Sequence, residues 1–417
     1  MNTDPYATLK ADAKYIALGA VEAVMPDNAV KRALQNISLR GNVYLVAVGK
    51  AAWQMAAAAV KYLDFPVKDG IVLTKYDHVK GDIPNVRCYE AGHPVPDENS
   101  YFGTEKVLEM TKDLSAEDTV LFLLSGGGSA LFEKPLAAPE KIQNTTQKLL
   151  SCGADIVQIN TIRKRLSGVK GGRFAQWCAP AKVEAIILSD ILGDPVDMIA
   201  SGPAAADTST SQQALSIANS CGITDPEVLA LLAQETPKDI TNVNTQVIGS
   251  VRELCRAAEK IALELGYEAI YLTDMLDCEA SEAGAYLAAE LEKYLGSGRK
   301  IALLAGGETV VTLRGNGLGG RNQELALSAA AALSQIPNAA IISVGSDGTD
   351  GPTDAAGGYA DTQTLAALRE KGLNYTQMLG NNDSYHALKA VDGLIFTGPT
   401  GTNVNDVAVA LISDADV

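Results

Sequence analysis

The sequence predicts an α/β protein of two domains with mostly parallel sheets. Short apolar runs alternate with helical segments along the chain, and at least four of these runs end in glycine-rich turns. The length of 417 residues also exceeds what one hydrophobic core usually serves. We therefore expect the functional site at the carboxyl ends of the strands, where open α/β sheets bind ligands.

The charge balance limits the classes of partner. Lys and Arg number 34 against 50 Asp and Glu, which gives a net charge of −16. This disfavours nucleic acid and anionic membrane surfaces, so an anionic substrate must meet a local basic cluster. The N-terminus shows no secretory signal pattern, and no apolar run approaches membrane-spanning length. A cytoplasmic enzyme with small-molecule substrates is expected.

The cysteines and histidines give no sign of a metal cage. Six cysteines are scattered without a C-x-x-C pair, and we expect them to be reduced, buried small hydrophobes rather than disulfides or zinc ligands. The three histidines are too dispersed to form a cage. His93, between Gly92 and Pro94, is interpreted as a packed loop residue in preference to a catalytic base.

The first helical stretch spans residues 4–37, with a break near Pro26, and is followed by a buried-type strand over residues 41–50. That strand ends in Gly49-Lys50, and the next segment has the composition of a helix. It is not a Walker motif, because Tyr44 replaces the required glycine and Ala51 the required Ser or Thr. Lys50 is either a ligand-facing ammonium or an exposed lysine at a helix start.

A second strand, over residues 118–124, leads directly into a serine- and glycine-rich turn. This turn offers backbone N–H groups and two hydroxyls to a phosphate or a carboxylate. Three consecutive glycines cost conformational entropy that a plain turn need not lose, which favours a ligand-binding loop. The candidate binding residues here are Ser125, Gly126, Gly127, Gly128 and Ser129.

Residues 159–177 carry five cations in a chain of net negative charge, interleaved with glycines. A solvated basic face and an anion-facing surface are both open interpretations of this run. The cations are Arg163, Lys164, Arg165, Lys170 and Arg173.

Asp190 follows the strand that begins at residue 183. A carboxylate at the end of a central parallel strand is placed to hold Mg²⁺ or to accept a proton, and a helix N-cap is the competing role. Farther on, the polar segment 235–246 has no periodicity and is the best linker candidate. We therefore predict an N-terminal domain over residues 1–238 and a C-terminal domain over residues 239–417.

The segment 301–324 is the most informative of the second half. Two apolar runs are broken by glycines, and four glycines crowd in just before Arg321, where a helix begins. A cation at a positive helix end suggests that an anion binds there as well. The candidate substrate- or nucleotide-binding residues of this segment are Gly307, Glu308, Gly319, Gly320 and Asn322.

The same segment contains an alternative. Gly315, Gly317 and Gly320 match the G-x-G-x-x-G pattern of dinucleotide-binding proteins, and Asp347 ends the next apolar run as a ribose-binding acid would. A nicotinamide-dependent reductase is therefore the second hypothesis. Asp347, Asp350 and Asp354 are either metal ligands or, more simply, turn residues. The chain closes with a strand, a polar turn through Asp406, and a predicted last helix.

Six motifs, in order along nearly the whole chain, resemble the glycerate 2-kinase family with a MOFRL-type C-terminal domain. They read LLSGGGSALFEKP, NTIRKRLSGVKGGRFA, LSDILGDPVDMIASGP, GGETVVTLRGNGLGGRNQELAL, SDGTDGPTDAAGG and TGTNVNDV.

This resemblance implies an enzyme that phosphorylates the 2-hydroxyl of D-glycerate, with ATP and Mg²⁺, at a cleft between two domains. It also implies a Rossmann-like N-terminal domain, a smaller C-terminal domain, and catalytic roles for Lys50 and Arg321. We assign Asp190 the role of metal ligand or proton acceptor. Family members are often labelled hydroxypyruvate reductase. An NAD(P)H-dependent hydroxypyruvate reductase is therefore the alternative function. A homo-oligomer is possible.

Overall fold

Two six-stranded sheets organise the chain, which is seen here in a computed structural model that describes residues 5–413. The strands are β1 (Val43–Val48), β2 (Asp69–Lys75), β3 (Val86–Ala91), β4 (Thr119–Leu124), β5 (Lys182–Leu188), β6 (Val243–Gly249), β7 (Glu268–Leu276), β8 (Lys300–Gly307), β9 (Ala339–Gly345), β10 (Gly357–Asp361), β11 (Leu394–Ile395) and β12 (Asp406–Ser413).

Helices separate most of the strands, as the alternating pattern predicts. They are α1 (Pro5–Ala23), α2 (Pro26–Leu34), α3 (Ala52–Tyr62), α4 (Glu98–Met110), α5 (Gly128–Leu131), α6 (Pro139–Ser151), α7 (Ile156–Leu166), α8 (Arg173–Cys178), α9 (Ser211–Ser220), α10 (Pro226–Leu232), α11 (Val251–Glu264), α12 (Ala280–Glu292), α13 (Arg321–Leu333), α14 (Thr364–Glu370), α15 (Tyr375–Gly380) and α16 (Ser384–Ala390), with a 3₁₀ turn at Ile199–Ser201.

The first sheet has the strand order β3-β2-β1-β4-β5-β6. This is the strand order of the Rossmann fold, and β1 pairs in parallel with both β2 and β4. All six residues of β4 are buried, because helices cover both faces of a parallel sheet. The α/β class and the Rossmann-like N-terminal domain are confirmed.

Three aromatic rings fill the core beside β4. Phe122 and Phe174 have ring centroids 5.0 Å apart, and Phe132 and Phe174 are 5.1 Å apart in an edge-to-face arrangement. Such pairs add to the free energy that their buried area already contributes. This packing fixes the segments on either side of the loop that follows β4.

The second sheet is mixed, with the order β11-β10-β9-β12-β8-β7. Only β7 and β8 pair in parallel, whereas β12 runs antiparallel to both β8 and β9. The expectation of mostly parallel strands therefore holds for the first sheet and is wrong for the second. The predicted last helix is also wrong, because the apolar run of β12 inserts as a central strand between β8 and β9.

Chain contacts divide the described residues into two compact units. One contains residues 29–189 and 194–248, and the other contains residues 5–28, 190–193 and 249–413. In the second unit α1 is held by a hydrogen bond from the Tyr267 hydroxyl to Asp12, 2.8 Å long. The predicted division at residues 238 and 239 stays a prediction about the domains.

Helices α6, α7, α9 and α10 share a small apolar core within the first unit, formed by residues such as Leu149, Ile162 and Leu232. A disulfide between Cys152 and Cys221 joins the ends of α6 and α9. The prediction that all six cysteines are reduced is wrong for this pair. Its partners are 69 residues apart, and only the packing of the helices brings their Cα atoms to 5.4 Å.

Candidate active site

The first sheet reverses its winding between β1 and β4. These neighbouring strands pair through to their last residues, Val48 and Leu124. Helical connections leave to opposite sides at such a reversal, so a crevice opens beyond the carboxyl ends of the strands, and ligands of open α/β sheets bind there. The loops that begin at this point are Gly49-Lys50 and residues 125–129. The sequence predicts the second as a ligand-binding loop, and the family resemblance implies a catalytic role for Lys50 in the first.

Backbone and hydroxyl hydrogen bonds tie these two loops together. The Lys50 N–H donates to the Gly126 carbonyl at 2.9 Å, and the Ala51 N–H donates to the Ser125 hydroxyl at 3.0 Å. The side chain of Lys50 is exposed, and it has no hydrogen bond or ion pair to any of residues 5–413. The ammonium is therefore available to an anion.

Gly127 lies at the closest approach of these loops to a histidine. Its φ is +89°, in the left-handed region, and a Cβ there would lie 3.1 Å from His93 Cδ2 and 3.1 Å from Lys50 Cγ. Only glycine fits without displacing both side chains. Burial lowers the pKa of His93, and the neighbouring ammonium of Lys50 lowers this pKa further, so the imidazole is neutral at pH 7.

A chain of polar side chains extends the loop toward α7. The Ser129 and Ser201 hydroxyl oxygens are 3.2 Å apart, and the Ser201 hydroxyl donates to the Asn160 side-chain oxygen at 2.8 Å. Ser201 has a φ of +61° and Ala200 a φ of +50°, positions where non-glycine residues are strained. Such strain is concentrated at functional sites, and here it holds a buried hydroxyl against the loop.

Most of the basic run after residue 159 finds partners within the same unit. Lys164 is 3.0 Å from Asp197 and 3.1 Å from Asp207, and Lys170 forms a buried ion pair with Glu133. The interpretation of this run as a solvated face is therefore wrong for these lysines, which are buried. Further partners are Asp207, Ser209 and Glu235 for Arg165, and the carbonyls of Lys164 and Ser167 for Arg173.

Arg163 is the exception in this run. Its side chain is half-buried, and no hydrogen bond or ion pair joins it to the part of the chain that the structure describes. Burial lowers the pKa of Arg163, against the opposing charge of Glu133. The guanidinium still remains charged at neutral pH, because its ordinary pKa is so high.

In the second unit, Arg321 is the first residue of α13 and is held by two carboxylates. Its Nε and Nη2 donate to the two oxygens of Asp406 at 2.6 and 3.0 Å, and its Nη1 donates to Glu308 at 2.8 Å. The Asn405 amide donates to the other oxygen of Glu308 at 3.0 Å. One guanidinium therefore faces two carboxylates in a fixed geometry.

The pKa values of this cluster follow from burial and pairing. Burial raises the pKa of Asp406 to about 6, against the opposing effect of Arg321. Burial lowers the pKa of Arg321, but the carboxylates of Asp406 and Glu308 more than compensate and raise it above its ordinary value. Both groups are ionised at pH 7, and the bidentate pair orients the guanidinium.

A protein carboxylate already occupies the start of α13. The backbone N–H groups of Asn322 and Gln323 donate to the two oxygens of Asp350 at 3.1 and 2.9 Å. A Cβ on Gly320 would lie 2.3 Å from the Asp350 carboxyl carbon, so the glycine is needed for this approach. The first N–H groups of the helix thus have an internal anion, and a bound anion here must contact Arg321 instead.

An open groove of about 860 Å³ lies between α6 and residues 220–226, which join α9 to α10, beside the disulfide. Its lysines are engaged, since Lys141 pairs with Asp225 and Glu227 and Lys148 donates to the Gly222 carbonyl. The size of this groove alone therefore does not make it the candidate site, whereas the Lys50 ammonium has no partner among residues 5–413.

Comparisons with known proteins identify the family of the chain. A family model described as a domain of unknown function, DUF4147, matches residues 12–233, and the model of the MOFRL family matches residues 301–406. The chain is 52% identical to a D-glycerate 2-kinase of Thermotoga maritima, with 97% of this chain and 99% of the relative covered. The chain belongs to the MOFRL-type glycerate 2-kinase family.

Two further relatives differ from each other in name. A glycerate 2-kinase of Pyrococcus horikoshii is 40% identical, with 94% of this chain and 95% of the relative covered. A putative hydroxypyruvate reductase of Agrobacterium vitis is 38% identical, with 89% and 88% covered. The crystal structure of a T. maritima glycerate kinase superposes with a TM-score of 0.94 at 52% identity, and covers 97% of this chain and 100% of that chain.

The predicted residues of the glycerate 2-kinase site form two groups in the structure. Lys50 and residues 125–129 adjoin at the reversal point of the first sheet. Arg321 and Glu308 form an ion pair in the second unit, where α13 also begins. The other predicted residues of this group are Gly307, which ends β8, and Gly319, Gly320 and Asn322, which lead into or start α13.

Asp190 is half-buried in the loop after β5. Across residues 5–413, no group of three or more His, Cys, Asp or Glu side chains is arranged to hold a metal ion. Nor does that part of the chain contain a helix long and apolar enough to cross a membrane.

Sequence reasoning missed several polar groups of the site. Asp406 lies within one of the family motifs. The sequence predicted it in a turn before a helix, whereas it is the first residue of β12. Asn160 and Ser201 also lie within family motifs, and only the fold brings them to Ser129. Asp347 forms the expected Asx-type turn with the Thr349 N–H, at 2.9 Å.

Proposed function

We propose that this chain is a glycerate 2-kinase, which transfers the terminal phosphoryl group of ATP to the 2-hydroxyl of D-glycerate and yields 2-phosphoglycerate and ADP. The observation that carries this proposal is the match to a D-glycerate 2-kinase along nearly the whole chain. The loops at the reversal point of the first sheet support it, because they place the Lys50 ammonium, which has no partner among residues 5–413, where such a fold binds its ligands.

Lys50 and Arg321 are proposed to contact the transferring phosphoryl group. Phosphoryl transfer requires little covalent chemistry from the protein, which must align donor and acceptor and neutralise the charge on the equatorial oxygens. The two residues lie in different units, so the proposal requires that both reach the same group during turnover. We propose that this convergence occurs only with both substrates bound, and that it excludes water from the reacting phosphate.

Arg321 keeps donors for this role although it is already paired. A guanidinium has five N–H groups, of which Asp406 and Glu308 engage three. The side chain is 31% exposed, so the other two can reach a bound anion. The bidentate pair with Asp406 then serves to hold the guanidinium plane in a fixed orientation.

We propose that Asp190 binds Mg²⁺ or accepts the proton of the 2-hydroxyl. Mg²⁺ in kinases is commonly held by one or two carboxylates together with substrate phosphates, and it neutralises charge on those phosphates. A half-buried carboxylate just beyond β5 fits such a role without a cage of protein ligands. The loop of residues 125–129 is proposed to bind either a nucleotide phosphate or the glycerate carboxylate.

The reductase alternative is not favoured. In the dinucleotide-binding fingerprint the glycines follow the strand directly and open the helix. Here β8 ends at Gly307, and the first glycine of the pattern comes later, at Gly315. A Cβ on Gly315 or Gly317 would lie within 2.6 Å of atoms of residue 381, so these glycines permit close packing of that loop.

The decisive assay measures ADP release from ATP in the presence of D-glycerate, beside NAD(P)H oxidation in the presence of hydroxypyruvate. We expect ADP release that depends on D-glycerate, with 2-phosphoglycerate as the product. Oxidation of NAD(P)H without ADP release would instead establish the reductase.

A further inference from the structure

Arg163, on α7, is a half-buried cation without a partner. It has no hydrogen bond or ion pair to residues 5–413, while the other cations of the same basic run are engaged. Taking a charge out of water without pairing it costs several kcal/mol. A side chain of this kind is explained when an anion binds to it.

The position of Arg163 on α7 relates it, through Asn160, to the loop of residues 125–129. Arg163 follows Asn160 by three positions on α7, so the two side chains lie on the same face of the helix, one turn apart. Helical side chains lean toward the N-terminus, which directs Arg163 toward Asn160. Asn160 is linked through Ser201 to Ser129, at 2.8 and 3.2 Å.

The local charge leaves one cation in excess. Glu133 is the carboxylate whose charge opposes the burial of Arg163. Glu133 is itself committed to a buried ion pair with Lys170, whose charge also interacts with Arg163. Two cations thus share one carboxylate, and a singly charged anion would balance them.

We propose that Arg163 binds the carboxylate of the acceptor hydroxy acid and thereby selects D-glycerate over neutral polyols. This inference rests on the proposed kinase function and extends it to the acceptor. A guanidinium matches a carboxylate through two parallel hydrogen bonds, and Ser129, which is only partly buried, offers a hydroxyl to such a substrate. The exposed ammonium of Lys50, at the other end of the same loop, is left for the phosphoryl group.

A nucleotide phosphate fits Arg163 less well. A triphosphate carries several negative charges and is usually met by several cations, a metal ion and backbone N–H groups. Beside Arg163, the charges of Lys170 and Glu133 offset each other, so this part of the chain offers one positive charge in excess. One excess positive charge corresponds to a small monoanion, and we therefore infer that the ligand at this end of the loop is the glycerate carboxylate.

The test compares D-glycerate with D-glyceramide, in which a neutral amide replaces the carboxylate. In Arg163→Gln we expect the preference for the acid, as a ratio of kcat/KM values, to fall roughly 10- to 100-fold, with the KM for ATP unchanged within about twofold. Arg163→Lys keeps the charge and should retain part of the preference. Arg87→Gln is the matched control, because Arg87 lies on the edge strand β3 and pairs there with Asp69 of β2. Its preference for the acid should equal that of the wild type.

An unchanged acid-to-amide preference in Arg163→Gln would overturn the inference. A raised KM for ATP with an unchanged KM for D-glycerate would also overturn it, since Arg163 would then bind the nucleotide. If circular dichroism shows that Arg163→Gln does not fold, Arg163→Lys provides the test instead. Wild-type kcat/KM values of Arg163→Lys for both D-glycerate and D-glyceramide would then overturn the inference. If the wild type forms no ADP with D-glycerate, the kinase function fails, and calorimetric titration of D-glycerate into wild type and variant still tests Arg163.

Discussion

The two halves of the proposed site present their cations in different ways. In the first unit Lys50 is exposed and Arg163 half-buried, and neither is paired with any residue of the described part of the chain. In the second unit Arg321 is fixed by a bidentate pair with Asp406 and a further bond to Glu308. We therefore propose that the first unit attracts anions by charge, whereas the second supplies a guanidinium whose orientation is fixed by two carboxylates.

This difference separates affinity from orientation. An unpaired ammonium contributes to anion binding at any stage, because no internal partner has to be displaced. A guanidinium that already faces two carboxylates attracts a distant anion weakly, and its remaining N–H groups act only once the phosphate is adjacent. Interactions realised only in the transition state raise kcat more than substrate affinity.

The largest effects are expected from removing Lys50 or Arg321, the two cations proposed to contact the transferring phosphoryl group and here called the clamp. Lys50→Ala and Arg321→Ala should each lower kcat roughly 100- to 10,000-fold, because each removes charge stabilisation of the transferring phosphoryl group. Their effect on ATP affinity should be much smaller. Steady-state kinetics and nucleotide titration measure both quantities.

Stability should distinguish the two variants. Lys50→Ala should leave the free energy of unfolding within about 0.5 kcal/mol, as at other exposed positions. Arg321→Ala leaves the buried Asp406 unpaired and should lower the free energy of unfolding by about 3 kcal/mol. Arg299→Ala is the control, since Arg299 forms an exposed ion pair with Glu268. Near-normal turnover in both site variants would refute the clamp.

The difference between the units also explains what the sequence could reveal. The strand before Ser125 was predicted closely, because a continuous apolar run ending in glycines is a local signal. The position of Lys50 after a strand was predicted in the same way, whereas its catalytic role was implied by the family resemblance. The partner of Arg321 was not, since Asp406 lies 85 residues away and a central strand has to bring it there.

The misassigned elements share a physical cause. The run of β12 alternates Val and Ala, a composition that suits a helix as well as a buried strand, and its neighbours β8 and β9 decide the outcome. Polar residues at the start of β6 were interpreted as a linker, but β6 is an edge strand, where exposed polar side chains are tolerated. The Cys152–Cys221 bond likewise depends on the packing of α6 and α9.

An intermediate effect on turnover is expected at Gly127. Gly127→Ala places a methyl group 3.1 Å from both Lys50 and His93 in a left-handed backbone, so it should displace the ammonium and lower kcat roughly 10- to 100-fold. Gly153→Ala is the matched control, because Gly153 has a φ of +74° but open space around its Cβ position. Both variants should lose about 1 kcal/mol of stability, and only the first should lose activity. Equal turnover in the two would show that the position of Lys50 does not matter.

The smallest effect concerns the acidic setting of Arg321 and is seen as a function of pH. Burial raises the pKa of Asp406 from 3.8 in the unfolded chain to about 6 in the fold, so between these values the native state binds more protons than the unfolded state. The contribution of this carboxyl to stability is therefore fully present below about pH 3.8 and is lost as the pH rises through about 6. In Asp406→Asn that loss cannot occur. Its free energy of unfolding relative to the wild type should therefore increase from pH 4 to pH 7, by on the order of 1–3 kcal/mol.

Chemical denaturation of both proteins across this range measures the difference. Glu308→Gln is the control, because Glu308 is more exposed, and its difference from the wild type should vary less over the same interval. A relative stability of Asp406→Asn that decreases from pH 4 to pH 7 would show that pairing with Arg321 outweighs burial. The ion pair of Arg321 and Asp406 would then increase the stability of the fold. In our interpretation the pair instead lowers the stability at neutral pH, and its role is to orient the guanidinium.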